Sequence, residues 1–96
     1  MLIVIAYDIE TKDAKGQKRL KKIAKLCKNW GVQVQNSVYE CEMDIQEYGR
    51  VKSELEALIQ PETDSIRFYR LGNRYQNRIE SLGCQRTKWD WQTFVL

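Results

Sequence analysis

The feature that most constrains this chain is an unbroken apolar run near its amino terminus, LIVIAY at residues 2–7. Asp8 follows this run directly. A continuous run of this length is typical of a central strand covered on both faces of a sheet. The run is too short to span a membrane. It also lacks the basic residues that open a signal peptide. We therefore expect a cytoplasmic protein built around this strand, with no membrane contact.

Two later segments carry apolar residues at the helical spacing i, i+3, i+4, i+7. In the first segment these residues are Leu20, Ile23, Ala24, Cys27 and Trp30. In the second, which we predict to be a helix at residues 46–59, they are Tyr48, Val51, Leu55, Leu58 and Ile59. The polar residues 10–16 predict a loop before the first helix. Gly31 and Pro61 follow the two apolar stripes, and both residue types favour helix ends.

Three further segments have the pattern of strands. Residues 32–35 and 38–43 alternate in polarity, and Asn36 and Ser37 between them suit a tight turn, with one long bent strand as the alternative. Residues 66–71 form the next predicted strand, which ends at Gly72. The order β-α-β-β-α-β predicts an α+β, ferredoxin-like fold, in which two helices cover one face of an antiparallel sheet.

The length of 96 residues indicates a single domain. We expect the ferredoxin-like domain at residues 1–83 and a tail at residues 84–96. Residues 74–82 fit either an extra C-terminal strand or a short helix. A domain this small buries only ~60–65% of the surface of its unfolded chain, so homodimer formation would add stability. The tail's large apolar residues predict packing on the same sheet or on a partner subunit. They are Trp89, Trp91, Phe94, Val95 and Leu96.

The basic residues are concentrated in one part of the sequence. No acidic residue occurs from position 14 to position 39. The same segment contains Lys15, Lys18, Arg19, Lys21, Lys22, Lys25 and Lys28. The net charge of the whole chain is +3, so the remainder of the chain is net acidic. A basic block of this kind commonly binds phosphate, and the alternative is a solvated helix face.

The residue types present exclude several kinds of chemistry. The chain contains no histidine, which excludes histidine-based acid–base pairs and triads. Cys27, Cys41 and Cys84 are widely spaced and include no C-x-x-C pair, which argues against a zinc site. We expect all three to be buried free thiols in a reducing cytoplasm.

Asp8 is the leading candidate for a catalytic and metal-binding residue. A carboxylate directly after a buried strand is held at the sheet edge, where it suits magnesium, an ion that prefers oxygen ligands and keeps several waters. A two-fold dimer would supply a second copy of Asp8. The ion would then polarise a phosphodiester oxygen or generate a hydroxide nucleophile. The alternative is that Asp8 only caps a turn after the strand.

Seven residues are candidates for nucleic-acid binding, through cationic side chains on the predicted first helix and a polar turn. The guanidinium of Arg19 matches two phosphate oxygens at once, whereas lysines contribute point charges. The candidates are Lys15, Lys18, Arg19, Lys22, Gln35, Asn36 and Ser37. Each also has a simpler interpretation as a solvated surface or turn residue. None resembles a base-reading element, so we expect little sequence preference.

Four stretches of sequence together resemble one known family. They are residues 6–9 (AYDI), 16–25 (GQKRLKKIAK), 30–41 (WGVQVQNSVYEC) and 64–72 (DSIRFYRLG). In this order and spacing they resemble the CRISPR-associated Cas-two family, and the resemblance covers roughly residues 1–83. The family commonly has arginine at the position of Gln33 and phenylalanine at that of Tyr39. Without that arginine, this chain lacks one candidate nucleic-acid contact, which puts strong intrinsic cleavage in doubt.

The resemblance implies a ferredoxin-like homodimer in which the final strand crosses to the partner's sheet. It implies a magnesium ion, with manganese as the alternative, between the two copies of Asp8. Family members are described as metal-dependent endonucleases on double-stranded DNA or single-stranded RNA. They also form the central dimer of a complex with the Cas-one integrase, which inserts new spacers into the CRISPR array. A second copy of this chain, the Cas-one integrase and DNA or RNA are therefore the expected partners.

Three functions are compatible with the sequence. The first is an endonuclease that uses Asp8 and a metal ion. The second is a non-catalytic, DNA-binding dimeric scaffold of the integration complex, in which Asp8 is dispensable. The third is a ferredoxin-like regulatory module that binds a small ligand, which leaves the basic segment unexplained.

Overall fold

The computed structural model describes residues 1–84 and has the β-α-β-β-α-β order expected of a ferredoxin-like fold. The elements are β1 (Leu2–Asp8), α1 (Ala14–Trp30), β2 (Val32–Gln35), β3 (Val38–Glu42), α2 (Ile45–Leu58) and β4 (Ser65–Gly72), followed by one 3-10 turn at Gln76–Arg78. The bounds of β2 are those predicted, and the bounds of the other strands and of the second helix differ from the predictions by one residue at one or both ends. The α+β prediction is confirmed.

The four strands form one antiparallel sheet with the order β2-β3-β1-β4. β1 is therefore central, as its continuous apolar sequence predicts. Ala6 pairs with Val38 on one side and with Arg67 on the other, and Asp8 pairs with Ser65. The separate strands β2 and β3, joined by a turn at Asn36 and Ser37, exclude the alternative of one long bent strand.

Alternate residues of β1 point to opposite faces of the sheet. Ile3, Ile5 and Tyr7 are buried on the face that α1 and α2 cover. The helices contribute Ile23, Cys27, Val51 and Leu55 to the same core, and β3 contributes Tyr39 and Cys41. Complete burial of a large aliphatic side chain contributes about 1.5–3 kcal/mol, so this single layer holds the helices on the sheet.

The first helix begins earlier than the sequence predicted. Residues 14–16 were expected in a loop, but α1 starts at Ala14 because the side chain of Asp13 caps it. The Asp13 carboxylate accepts a hydrogen bond from the backbone N–H of Gly16 at 2.8 Å. The loop between β1 and α1 is therefore only five residues long, from 9 to 13.

Gly31 ends α1, as predicted, but through packing rather than through a left-handed cap. Its backbone is extended, with φ of −157°, and any residue adopts this conformation. A β-carbon at this position would collide with the sulfur of Cys41 and the carbonyl group of Glu40. Glycine is needed here because the end of α1 lies directly against β3.

The segment after β4 and the cysteines differ in part from expectation. No fifth strand occurs between Gly72 and Cys84, and residues 74–82 contain only the 3-10 turn. The predicted packing of the tail falls on residues 85–96, outside the described part of the chain.

Burial raises the pKa of Cys27 to about 12 and that of Cys41 to about 11, which keeps these thiols protonated. Cys84 is exposed, so its predicted burial is wrong.

No helix within the described residues is long and apolar enough to cross a membrane. This finding agrees with the absence of a long apolar run between residues 1 and 84.

Two tyrosine rings stack inside the core. The centroids of the Tyr7 and Tyr39 rings are 6.0 Å apart. Burial, together with the neighbouring Tyr39 hydroxyl, raises the pKa of Tyr7. The Tyr39 side chain is completely buried, and its hydroxyl has no hydrogen bond of good geometry with a described residue. A buried hydroxyl without a good partner is destabilising.

We therefore predict that Tyr39→Phe leaves the fold intact and raises the free energy of unfolding by up to about 1 kcal/mol, because it removes a poorly satisfied hydroxyl. Urea denaturation followed by far-UV circular dichroism measures the change. Destabilisation by more than about 1 kcal/mol would show that the hydroxyl has a partner that stabilises the fold.

Candidate functional site at the end of the central strand

Asp8 is the last residue of β1, and its side chain is exposed. Since Tyr7 points into the core, Asp8 points to the face of the sheet opposite the helices. The carboxylate makes no ion pair with any residue between 1 and 84. Within the described residues, a strand in the middle of the sheet thus presents a carboxylate without an ion pair at its end.

Polar backbone and side chains surround this strand end on both sides. On the β4 side, Ser65 pairs with Asp8 and is also exposed. On the β3 side, the backbone N–H of Tyr7 donates to the carbonyl oxygen of Ser37 at 3.0 Å. The turn between β2 and β3 is therefore fixed beside Asp8.

The turn that follows β2 contains three of the predicted nucleic-acid contacts. Gln35 and Asn36 are exposed and Ser37 is half-buried. The side-chain amide of Gln33 donates to the carbonyl oxygen of Asn36 at 3.0 Å, which stiffens the turn. The structure thus brings these three residues to the end of the sheet that carries Asp8. Their contact with nucleic acid stays a prediction.

A buried carboxylate fixes the loop that follows Asp8. Asp64 immediately precedes β4, and its side chain is completely shielded from solvent. Its oxygen Oδ1 accepts from the backbone N–H of Glu10 at 3.0 Å, and its Oδ2 accepts from the backbone N–H of Gln60 at 2.9 Å. Asp64 therefore joins the β1–α1 loop to the segment between α2 and β4.

Arg19 supplies the counter-charge to Asp64. Its Nε lies 2.7 Å from Oδ2 of Asp64, and its Nη2 lies 3.2 Å from Oδ1. This bidentate geometry is the strong form of an arginine–carboxylate pair. The Arg19 guanidinium, helped by the backbone N–H groups of Gln60 and Glu10, holds the pKa of Asp64 well below its usual range, although burial opposes the shift.

This pair changes the interpretation of Arg19. The sequence predicted a phosphate contact, whereas the guanidinium binds Asp64 and lies 3.5 Å from the carbonyl oxygen of Glu10. Its side chain is 22% exposed, much less than the neighbouring lysines. Sequence reasoning missed this role because Arg19 and Asp64 are 45 positions apart and no local pattern links them. A role for Arg19 in nucleic-acid binding remains a prediction.

A close backbone contact holds the same loop against α1. A β-carbon on Gly16 would collide with the carbonyl oxygen of Glu10. Glycine therefore lets the first turn of α1 pack directly on the loop, two residues beyond Asp8. Together with the Asp64 hydrogen bonds, this contact fixes the path of the chain as it leaves the end of β1.

The lysines of α1 form one exposed surface. Lys15, Lys18 and Lys22 lie on the side of the helix away from the buried Ile23 and Cys27. Lys21, Lys25 and Lys28 extend the same surface. We call these six residues the α1 lysine surface. None of the six forms an ion pair within the described residues, and the surface is about 20 Å long at 1.5 Å per helical residue. The surface begins at Lys15, next to Gly16, which packs on the backbone of Glu10 in the β1–α1 loop.

The donor set at Asp8 fits magnesium better than a metal that needs many protein ligands. Residues 1–84 contain no group of three or more cysteines or acidic residues placed to hold one ion. Magnesium is commonly held by one or two carboxylates and otherwise by water. Asp8 is exposed and has no ion pair among the described residues, which leaves its carboxylate available for such an ion.

Fold and site together define a ferredoxin-like α+β protein with a carboxylate at the end of its central strand and a basic first helix. The model of the family described as CRISPR associated protein Cas2 matches residues 1–79. The chain therefore belongs to the Cas2 family, the Cas-two family of the sequence resemblance.

Individual relatives agree with this assignment. The CRISPR-associated endonuclease Cas2 of Halalkalibacterium halodurans is 48% identical over 85 residues, which cover 88% of each chain. The CRISPR-associated endoribonuclease Cas2 of Chlorobaculum tepidum is 40% identical over 88 residues, which cover 92% of each chain. The crystal structure of Streptococcus pyogenes Cas2 at pH 6.5 superimposes with a TM-score of 0.76 at 46% identity, covering 86% of this chain and 100% of that one. The family to which the chain belongs thus includes proteins named as nucleases.

We predict that Asp64→Asn lowers the midpoint of thermal unfolding at pH 7 by roughly 10 °C. Both oxygens of Asp64 accept from N–H donors, so the amide group of asparagine would face a donor in either orientation. Differential scanning calorimetry measures the shift. Glu56→Gln, an exposed charge removal on α2, is the matched control and should change the midpoint by less than about 2 °C.

The difference between the wild-type protein and Asp64→Asn should also depend on pH. Because the folded chain lowers the pKa of Asp64 below the ordinary value of about 3.9, the folded state binds this proton less tightly than the unfolded state. The stabilisation is complete above that value and is lost as the pH falls below it. A difference in midpoint that stayed constant from pH 7 to pH 2.5 would contradict the assigned ion pair.

Proposed function

We propose that this protein is a metal-dependent endonuclease that works as a homodimer on a phosphodiester backbone and takes part in CRISPR spacer acquisition. The observation that carries the proposal is the exposed carboxylate of Asp8 at the end of the central strand, which forms no ion pair with residues 1–84. The Arg19–Asp64 pair holds the loop beyond it, and a polar turn lies beside it. The names of the relatives supply the reaction class, since they are called endonuclease or endoribonuclease.

In this proposal the two copies of Asp8 in a dimer hold one magnesium ion, with manganese as a substitute. When bound, the ion would polarise a phosphodiester oxygen and lower the pKa of a water molecule. The task of Asp8 is to anchor the ion at a fixed place on the sheet. The β2–β3 turn would position the nucleic-acid backbone through the exposed amides of Gln35 and Asn36 and the half-buried hydroxyl of Ser37.

The outward face of the sheet supports the dimer. Val4, Ala6, Val32 and Val38 are only half-buried there, and no helix of the described chain covers them. A small domain gains stability when a second copy covers such a face. Asp8 lies on this face too, so a two-fold axis that passes near the end of β1 would bring the two Asp8 residues together.

The α1 lysine surface is the proposed contact with the phosphate backbone, beginning after the β1–α1 loop and continuing along the helix. Such contacts depend on charge rather than on base identity, so affinities for unrelated duplexes of equal length should agree within a few-fold. We propose cytoplasmic nucleic acid as the substrate, either double-stranded DNA or single-stranded RNA. The relatives carry both kinds of name.

The second candidate function is a non-catalytic scaffold that holds duplex DNA for the Cas-one integrase. The length of the α1 lysine surface favours it, because about 20 Å of basic helix exceeds what one phosphodiester at Asp8 needs. The two functions are compatible in one protein. If the protein is a nuclease, the purified protein needs the Asp8 carboxylate for cleavage. If it is only a scaffold, spacer acquisition in cells needs the DNA-binding surface and not Asp8.

We predict that Asp8→Asn lowers magnesium-dependent cleavage of duplex DNA or single-stranded RNA by at least about 100-fold, because the ion loses its charged ligand. Gel-based cleavage assays with both substrates measure the rate. Light scattering should show that the variant is still a dimer, and a binding assay in EDTA should show unchanged affinity. Glu54→Gln, an exposed charge removal on α2, is the control. Equal cleavage by Asp8→Asn and the wild type, or cleavage by neither, would favour the scaffold.

The α1 lysine surface makes a separate prediction about binding. The double variant Lys18→Gln/Lys22→Gln should reduce the slope of log affinity against log salt by about 2 for a DNA duplex, because each phosphate contact contributes about 0.9. The double variant Arg50→Gln/Lys52→Gln removes the same charge from the exposed side of α2 and should leave the slope nearly unchanged. Fluorescence anisotropy at four salt concentrations measures it. Equal effects of the two variants would contradict a specific role of α1.

A further inference from the structure

Within the described residues, the strands contribute few cationic side chains to the outward face of the sheet, on which Asp8 lies. The four strands contain two basic residues, Arg67 and Arg70, both on β4. Arg67 pairs with Ala6, so the two side chains share the outward face. Arg70 pairs with Ile3, whose side chain is buried beneath the helices, so Arg70 belongs to the other face. Among the four strands that the structure describes, Arg67 is thus the only cationic side chain on the face of Asp8.

Arg67 is also close to Asp8 in the register. Asp8 pairs with Ser65, and Arg67 follows Ser65 by two residues on the same face of the neighbouring strand. Residues in such a diagonal relation lie about 7–8 Å apart between their α-carbons, a distance that a long side chain spans. An extended arginine at this position reaches the space directly above the Asp8 carboxylate.

The guanidinium of Arg67 nevertheless does not pair with Asp8. Its central carbon lies 5.6 Å from the centre of the Tyr69 ring, two residues further along the same face. Arg67 makes no ion pair with a carboxylate of residues 1–84. This exposed cation–π contact is weaker than a charge-assisted hydrogen bond between the guanidinium and a phosphate. In this contact the guanidinium lies toward Tyr69, which pairs with Val4 and is further from Asp8 than Arg67 is, so it does not neutralise the carboxylate that a metal ion would need.

From these positions we infer that Arg67 is the phosphate-binding residue of the Asp8 site. Its guanidinium leaves the Tyr69 ring and donates two hydrogen bonds to the non-bridging oxygens of the phosphodiester at Asp8. Arginine suits this task because its planar donors match two phosphate oxygens, and it stays charged at every working pH. Its charge also stabilises the extra negative charge that develops on the phosphate during attack. The inference rests on the proposed function, since it gives the Asp8 site its substrate contact.

The test compares Arg67→Gln and Arg67→Lys with the matched control Arg70→Gln, all as full-length proteins shown to be dimers by light scattering. Two measurements are made on each. The first is the rate of magnesium-dependent cleavage at several substrate and magnesium concentrations. The second is the affinity for an uncleaved short DNA duplex in EDTA, which requires no activity.

We expect Arg67→Gln to lower kcat/KM at least 10-fold, and Arg67→Lys to recover part of the loss because it restores charge without the bidentate geometry. The magnesium concentration for half-maximal rate should not change, since Arg67 binds phosphate rather than metal. Affinity for the duplex in EDTA should fall several-fold in Arg67→Gln. Arg70→Gln should stay within about twofold of the wild type in both measurements.

The outcomes separate this inference from the proposed function. Cleavage by the wild type with equal rates and affinities for Arg67→Gln would overturn the inference and leave the nuclease standing. A loss of kcat/KM and duplex affinity in Arg70→Gln as large as that in Arg67→Gln would also overturn it. The effect would then follow from removing any positive charge of β4 and not from the position of Arg67. Absence of cleavage by the wild type would refute the nuclease. In that case the EDTA binding comparison alone decides whether Arg67 holds phosphate.

Discussion

The ion pair between Arg19 and Asp64 is the interaction on which the functional end of this fold depends. It links α1 to the segment before β4, and its carboxylate also binds the backbone of the loop after β1. Three segments that are distant in sequence therefore meet at one buried group. Removal of one partner would leave the other charge poorly compensated, which is far more costly than loss of a surface ion pair.

The position of this pair explains how a domain of 96 residues keeps an exposed carboxylate in a defined place. Asp8 is the last residue of the central strand, and the β2–β3 turn is hydrogen-bonded to the preceding residue, Tyr7. The loop that follows Asp8 is hydrogen-bonded to Asp64 and packs on Gly16. The side chain itself is left without an ion pair in the described chain. Preorganised metal and phosphate sites require such an arrangement, in which a rigid backbone supports a binding side chain that has no other partner.

Most of the fold was predictable because local patterns carry it. The apolar run ending at Asp8, the helical stripes around Ile23 and Val51, and the turn at Asn36 each reflect a short-range rule, and together they predicted the sheet and both helices. The helix start at Ala14 was missed because a single Asp13 cap decides it. The partner of Arg19 and the placement of Arg67 beside Asp8 were not predictable, since both depend on strand register and on contacts between distant segments. The exposure of Cys84 likewise depends on the path of the chain after β4.

The central proposal is that two chains share one metal ion through Asp8, and a binding titration tests it most directly. Manganese serves as a paramagnetic substitute for magnesium, and electron paramagnetic resonance counts the bound ions while light scattering confirms the dimer. We predict one tightly bound ion for every two wild-type chains, and loss of that ion in Asp8→Asn at unchanged dimer mass. Equal manganese binding by the wild type and Asp8→Asn, or one independent ion for every chain, would contradict the claim.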